Sequence, residues 1–400
     1  MTGSQRIPRA LIAVLGLITI GAYGAWHYSF GVLLDPIIAD TGWSESALTT
    51  AFSASTLVAG AGSLGGGWLL DRFGSRIVFG LAACVVAAAF SVAASAGSPA
   101  VFGPAAAVGG GALGGFGFYH VTQTVAARIS PHDATRAIAV LTIWGAFAAA
   151  VYLPAAAWLV QAAGWRLTLR VLALSAAAAL AAGALTIDTR SGEAPRGLAL
   201  WSELGAALKT ASARRLLIAQ GLVGVSVAVM VVYQAPVMRA AGLTLTAASF
   251  WAGFRGFAQL GGRVPLMAIV ARLGAAGALR LAYSAIAAGL IVLVFAGTAP
   301  VAAVFAVVAG FGVGASSPLV GMYSRAVFGS SSLGAAMGLL SLVFFLVGSL
   351  GPVAGGWISA AGGPRALPVI LGAVTAAAAV PLIRAEPRTS APPPESASLG

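Results

Sequence analysis

The sequence is poor in charged residues, in acidic residues and in cysteine. Charged residues make up 8% of the 400 positions, and only 10 residues are aspartate or glutamate. Soluble globular domains carry about 25% charged residues, so this composition excludes a water-soluble core. The single cysteine, Cys84, excludes an internal disulfide and any cysteine-based metal site. Because it lies in an apolar run, we expect Cys84 to be a small core residue.

Groups of residues that carry out chemistry are also missing. The chain has no paired carboxylates, no metal-ligand cluster, no nucleophile beside a base and no ATP-binding motif. The formal charge of +12 does not indicate nucleic-acid binding, because the basic residues stand singly between apolar runs. The sequence therefore predicts a protein that is not an enzyme, holds no cofactor or metal and binds no nucleic acid.

Long apolar runs dominate instead, with hydrophobic residues at 59% of positions. A helix needs about 20 apolar residues to cross a membrane. The runs predict an all-α membrane protein with twelve transmembrane helices, in two pseudo-symmetric bundles of six. The predicted spans are 10–39, 44–70, 76–97, 99–127, 134–162, 167–187, 214–240, 245–271, 277–297, 299–327, 333–361 and 365–384.

Basic residues predict the orientation. Arg6 and Arg9 precede an apolar run without a cleavage site, which indicates a first membrane helix and not a removed signal peptide. With the N-terminus in the cytoplasm, most loop arginines and lysines face inward. The exceptions are Arg166, Arg170, Arg239 and Arg365. We expect a bacterial inner-membrane protein with both termini in the cytoplasm.

A polar segment and an internal repeat divide the chain. Residues 71–74 (DRFG) correspond to residues 271–274 (ARLG), 200 positions later, and 158–166 correspond to 357–365, 199 positions later. Two loops in one register indicate duplication. We predict an N-terminal bundle at 1–189, a cytoplasmic linker at 190–213 with a short surface helix near 198–208, a C-terminal bundle at 214–387 and a disordered tail at 388–400.

The loop between the second and third spans carries a motif. Gly67, Asp71, Arg72, Gly74 and Arg76 stand at spacings that a generic positive turn does not require. This loop resembles the signature loop of the major facilitator superfamily, which has a second basic residue where this chain has a serine before Arg76. The resemblance implies that the loop residues control conformational cycling.

Further motifs resemble one branch of that superfamily. They are 21–32 (GAYGAWHYSFGV) in the first span, 42–44 (GWS), 164–166 (GWR), 310–314 (GFGVG) and 351–355 (GPVAG). Together they look like the monocarboxylate transporter and oxalate–formate antiporter branch. The resemblance implies a secondary transporter that moves a small organic anion by alternating access, as proton symport or anion exchange, in a monomer embedded in membrane lipid.

The eighth span holds two arginines, and a charge inside the membrane is a candidate functional group. Arg255, Gln259 and Arg263 recur every four residues and so share one helix face. Arginine matches a carboxylate through two parallel hydrogen bonds. Arg263 matches the substrate arginine of the branch, whereas Gln259 replaces the branch's aspartate and leaves proton coupling in doubt. Snorkelling of Arg263 and structural pairing of Arg255 are the competing interpretations.

Other polar residues are predicted to line the same cavity. His120 stands mid-span and titrates near neutral pH, so it is a candidate proton acceptor, with a packing role as the alternative. The remaining candidate substrate-binding residues are Tyr119, His27, Tyr28, Tyr233 and Gln234.

Two other functions stay open on the sequence. Efflux of a drug or toxic solute fits the same architecture, although the lack of acidic cavity residues disfavours cationic drugs. A non-transporting membrane sensor also fits the fold, but we would expect such a protein to carry an added signalling domain.

Overall fold

The computed structural model describes residues 9–189, 205, 209–328 and 333–384, which form helices and no β-strand. A π-helical turn, Tyr23–Tyr28, joins the first two helices, and a second, Thr375–Ala379, joins the last two. The helices are α1 (Arg9–Ala22), α2 (Phe30–Thr41), α3 (Glu45–Ser95), α4 (Pro99–Gly117), α5 (Tyr119–Ile129), α6 (Ala134–Thr186), α7 (Ala211–Ala240), α8 (Leu245–Arg263), α9 (Leu266–Val294), α10 (Ala299–Phe328), α11 (Leu333–Gly348), α12 (Leu350–Gly362), α13 (Ala366–Val374) and α14 (Val380–Leu382).

The helices follow the predicted course of twelve crossings. Eight stretches of the described chain are long and apolar enough to span a membrane. α3 and α6 have 51 and 53 residues, and each reverses at a glycine of positive φ, Gly74 and Gly164, so each supplies two crossings. α1–α2, α4–α5, α11–α12 and α13–α14 each make one interrupted crossing.

Glycines at the turns repeat the two-fold pattern of the sequence. In the described residues every residue with positive φ is a glycine, as expected where a Cβ would clash with the backbone. These glycines form pairs separated by 199 or 200 positions: Gly42 with Gly242, Gly74 with Gly274, and Gly164 with Gly363. The repeat of two loops noted in the sequence therefore extends to a third, and both members of each pair have a positive φ.

Five predicted spans, the first, fourth, eighth, eleventh and twelfth, are not continuous helices, and three of these interruptions fall near candidate site residues. The first contains the π-helical turn, and the fourth breaks at Phe118, whose backbone is extended. The eighth ends at Arg263, since Pro265 has no N–H to donate and its ring opposes helix continuation. The break places Arg263 in the last turn of α8, where the helix dipole favours a positive charge.

Closely approaching glycines join the two halves. A methyl group on Gly31 of α2 would lie 2.2 Å from the carbonyl oxygen of Val232 in α7. A methyl group on Gly256 of α8 would lie 2.5 Å from the Cβ of Ala149 in α6. Such backbone approach requires residues without a Cβ. α8 therefore packs one glycine-lined face directly against the N-terminal half.

One packing prediction is wrong, and several other predictions concern residues outside the described ranges. Cys84 is exposed on the helix surface and is not a core residue, because it falls on the outward face of α3. The predicted surface helix near 198–208, most of the 190–213 linker and the 388–400 tail lie outside the described residues. The bounds of the two bundles stay a prediction.

Candidate substrate site

The π-helical turn of the first span carries the first group of site residues. Tyr23–Tyr28 adopts this wider turn, and the Ser29 hydroxyl donates a 2.7 Å hydrogen bond to the Gly24 carbonyl at its end. π-Helical turns are rare, occur mostly singly inside α-helices and are frequent at functional sites. The turn brings Tyr23, His27 and Tyr28 into one aromatic group, with Tyr23 6.0 Å from Tyr28 and 6.2 Å from His27 between ring centroids.

The break in the fourth span extends this aromatic group. Phe118 stacks in parallel on Tyr23, with ring centroids 3.9 Å apart, and its edge meets His27 at 5.8 Å. Tyr119 lies 5.3 Å from Tyr23. We call Tyr23, His27, Tyr28, Phe118 and Tyr119 the aromatic cluster. It belongs entirely to the N-terminal half.

His120 satisfies a carbonyl that the helix break sets free. With Phe118 extended, the Gly115 carbonyl loses its helical partner, and the Nε2 atom of His120 lies 3.1 Å from it. Tyr119 donates to the Thr142 carbonyl of α6 at 3.1 Å. The geometry therefore gives His120 a structural partner and fits the packing alternative for this residue.

Arg255 is the most deeply buried cation of the described chain. Its side chain is 1% exposed, and its Nε donates a 2.8 Å hydrogen bond to the Oε1 of Gln234 in α7. One guanidinium nitrogen of Arg255 and the amide nitrogen of Gln234 are buried without a partner. Across the interface, the guanidinium lies within electrostatic range of His27 and Tyr28. Arg255 and Gln234, which are bonded to each other, thus each keep one buried donor unused.

Arg255, Gln259 and Arg263 lie on one face of α8, but the two arginines differ in burial and in partners. Arg255 and Gln259 are buried, and Arg263 is half-buried on the same face. Arg263 donates to the Thr142 carbonyl of the other half at 2.9 Å and more weakly to the Gly314 carbonyl at 3.4 Å. It therefore joins the halves and does not snorkel away from them. Its charge also acts on Tyr23 and Tyr119.

Neither arginine has a carboxylate partner within the described residues. The ion pairs found there are Arg76–Asp188, Arg166–Asp40 and Arg239–Asp35, all on partly exposed side chains. A buried charge is normally paired, because leaving water costs several kcal/mol per ion. Arg255 therefore lacks the counter-ion that its burial requires.

A narrow cavity lies beside the aromatic cluster. Trp26, His27, Ser55 and Phe118 of the N-terminal half line it, and Phe345 of the C-terminal half closes it. The Phe118 and Phe345 ring centroids are 6.0 Å apart. Because one wall comes from each half, the width of the cavity depends on how the halves are placed.

Tyr233 belongs to a different contact. We call the end of the bundle that carries the 41–44 loop the distal end. There the Tyr233 hydroxyl donates to the Glu45 carboxylate at 2.7 Å, and Ser359 donates to the same carboxylate at 3.2 Å. Asp35 and Arg239 pair nearby. These bonds join opposite halves and close the distal end. Tyr233 therefore contacts Glu45 at the distal end, whereas its neighbour Gln234 contacts Arg255.

The signature loop is described in part. Gly74 has φ of 80°, which permits the reversal. Arg76 donates to the Ala184 carbonyl at 3.2 Å. Ser75, at the position where the superfamily has a basic residue, is buried and accepts a 2.9 Å bond from the Thr189 backbone. Arg72 is exposed. The surroundings of Gly67 and the side chain of Asp71 lie outside the described part of the structure, so the cycling role of this loop stays a prediction.

Sequence reasoning missed Tyr23, Phe118, Phe345 and Glu45. Phe118 and Phe345 are ordinary apolar residues of apolar spans, and only the helix break and the meeting of the halves bring them to the site. Glu45 looks like an interfacial residue at a span end. A sequence signal existed for Tyr23, since it belongs to the GAYGAWHYSFGV motif.

Comparisons with known proteins agree with this architecture. A comparison with curated proteins finds no significant match. Among solved structures, a variant of the nucleoside transporter NupG matches with a TM-score of 0.79 and 14% identity, over 94% of this chain and 98% of that one. A POT family transporter in complex with 5-aminolevulinic acid matches with a TM-score of 0.73 and 12% identity, over 94% and 95%.

A bacterial homologue of the human lysosomal transporter Spinster, in an inward-facing and unoccupied conformation, matches with a TM-score of 0.68 and 18% identity, over 95% of this chain and 94% of that one. At these identities the structures show the fold alone. The sequence model of the Major Facilitator Superfamily matches residues 14–303 and 216–399, which is nearly the whole chain. The chain therefore belongs to the Major Facilitator Superfamily and is a membrane transporter, not an enzyme.

Proposed function

We propose that this transporter moves a small organic anion with a carboxylate group, and that Arg255 is its anchor. The observation that carries the proposal is that buried Arg255 has no carboxylate partner among the described residues, while one of its guanidinium nitrogens and the amide nitrogen of Gln234 are buried without a hydrogen-bond partner. A carboxylate accepts from both donors and supplies the missing negative charge. This revises the prediction from sequence, which placed Arg263 first.

The position of Arg255, facing residues of the other half, supports the same proposal. Arg255 belongs to the C-terminal half, whereas His27 and Tyr28, on which its charge acts, belong to the N-terminal half. A substrate held between halves biases the alternating-access equilibrium, since it contacts both. In this scheme Arg263 joins the halves through Thr142, and the contacts of Tyr233 close the distal end.

The fixed charge favours exchange over proton symport. An empty carrier must pass through a closed state in which Arg255 is buried without an anion, and such a state is costly. A loaded carrier has no such cost. Return of the carrier is therefore easiest with a second anion bound. In addition, no carboxylate among the described residues stands near Arg255 to carry a proton.

We further propose that the protein lies in the bacterial inner membrane as a monomer with both termini cytoplasmic.

Thermal stability of the purified chain tests the proposal. A ligand that binds the folded state raises the melting temperature by mass action. We expect small carboxylates to stabilise the parent and the Arg280→Gln control, whose arginine is exposed, but not Arg255→Gln. Equal stabilisation of Arg255→Gln would refute the anchor. Stabilisation by neutral amides but not by acids would refute the anion.

A further inference from the structure

The cavity beside the aromatic cluster, which shares His27 with the surroundings of Arg255, indicates what the rest of the substrate is. We infer that the transported anion carries an aromatic ring, which stacks between Phe118 and Phe345 while its carboxylate binds Arg255. This inference rests on the proposed function and adds the substrate class to it. A short aliphatic acid, the substrate size that the sequence resemblance suggests, would leave this cavity unused.

Apart from the His27 imidazole, the lining of the cavity has little left to offer a polar group. Ser55 already accepts from Trp26 at 2.8 Å and donates to the Phe52 carbonyl at 2.6 Å. Thr56 donates to the same carbonyl at 3.0 Å. The other walls are aromatic, alanine, leucine and glycine. Such a surface favours a hydrocarbon group and penalises an unpaired hydroxyl or amine.

Two aromatic walls favour a flat group. Phe118 is held by its stacking on Tyr23, so its other face is fixed in position. Phe345 is tilted by 33° from Phe118, at 6.0 Å between centroids. A ring stacked between two others needs about 7 Å, or twice the contact distance of about 3.5 Å between carbon atoms. Moving the halves apart by about 1 Å would admit a flat ring.

The cavity and the anchor are connected through His27. Its ring lines the cavity, contacts Phe118, and lies within electrostatic range of Arg255. An aryl carboxylate places its ring and its charge a few ångströms apart in one rigid plane. One such molecule would therefore occupy both features and would touch both halves.

Direct binding of three acids to the full chain tests the inference, with benzoate, cyclohexanecarboxylate and propionate as probes. We expect benzoate to bind about 10- to 100-fold more tightly than propionate, from burial of its additional carbons. Cyclohexanecarboxylate, which is thicker, should bind more weakly than benzoate. If propionate binds as tightly as benzoate, or if cyclohexanecarboxylate binds more tightly than benzoate, the inference of an aromatic substrate is overturned.

Variants of the cavity provide the second arm. Ala59→Leu adds volume to the cavity wall and should lower benzoate affinity about tenfold while leaving propionate unchanged. Phe345→Ala should shift the preference from benzoate toward naphthoate, which is a gain that an unfolded protein cannot show. The matched control is Ala88→Leu, since Ala88 is exposed on α3. If both cavity variants bind all acids like the parent, the ring does not lie there.

The two proposals fail in different ways. Binding of all three acids with similar affinity, abolished by Arg255→Gln, would keep the anion site and refute the aromatic class. No acid binding at all, in a protein that is folded and membrane-inserted, would refute the proposed function and the inference together.

Discussion

Removing one hydrogen bond at the distal end should open that end. Glu45 accepts from Tyr233 and from Ser359, and both donors belong to the other half. Tyr233→Phe deletes the shorter bond, of 2.7 Å, and keeps the ring. A hydrogen bond to a charged group contributes about 1.5–3 kcal/mol net. The bond exists only while the distal end is closed, so its loss should move the equilibrium toward the open state by about 10- to 150-fold.

Distance measurements between spin labels would detect this shift. With Cys84 replaced by serine, labels at Ala39 and Ala240 report on the exposed distal ends of α2 and α7. Tyr233→Phe should add or enlarge a longer distance population. The matched control is Tyr283→Phe, because Tyr283 donates to Gln220 inside one half and its bond does not change with the opening. An identical distance distribution in Tyr233→Phe and parent would refute the gating role of this bond.

The remaining predictions concern Gly31, His120 and Arg263. Gly31→Ala should open the distal end in the same distance assay, because its Cβ would lie 2.2 Å from the Val232 carbonyl; Gly261→Ala, with nothing within 4 Å, is its control. His120→Gln should leave the pH profile of uptake unchanged, because glutamine can still donate to the freed Gly115 carbonyl; a flattened profile would restore the proton-acceptor hypothesis. Arg263→Lys should slow transport more than it weakens anion binding, since lysine lacks the fixed fork of donors with which Arg263 bonds Thr142 of the other half and Gly314 of its own; an equal loss of both would make Arg263 a substrate residue.

Much of the fold was predictable because membrane spans follow from composition. Long apolar runs determine the crossings, and the repeat of the 71–74 and 271–274 loops indicates that the two halves are related. The interruptions within the membrane helices were harder to predict. Pro265 is a local signal for the end of α8, but the break at Phe118 and the π-helical turn depend on packing between spans, which no local propensity expresses.

The candidate site, too, was predictable only in part from the sequence. Arg255 and Arg263 stand out in the sequence because a charge in an apolar span is rare. Their ranking could not be predicted, since it depends on which guanidinium finds carbonyl partners after folding. Arg263 finds the Thr142 carbonyl, whereas one nitrogen of Arg255 stays unpaired. The distal contact of Tyr233 with Glu45 joins residues 188 positions apart and has no signature in the sequence.

The dissociation constant of an organic anion for the Arg255 variants tests the central claim most directly. The parent, Arg255→Lys, Arg255→Gln and the Arg280→Gln control should be titrated in the same detergent with the anion that stabilises the parent most. Losing the charged partner of a carboxylate in a dry site costs about 2–5 kcal/mol, so Arg255→Gln should bind roughly 30-fold to several-thousand-fold more weakly. Arg255→Lys, which lacks the two-pronged donor, should be intermediate. Binding by Arg255→Gln with the parent's affinity would contradict the claim that Arg255 holds the anion.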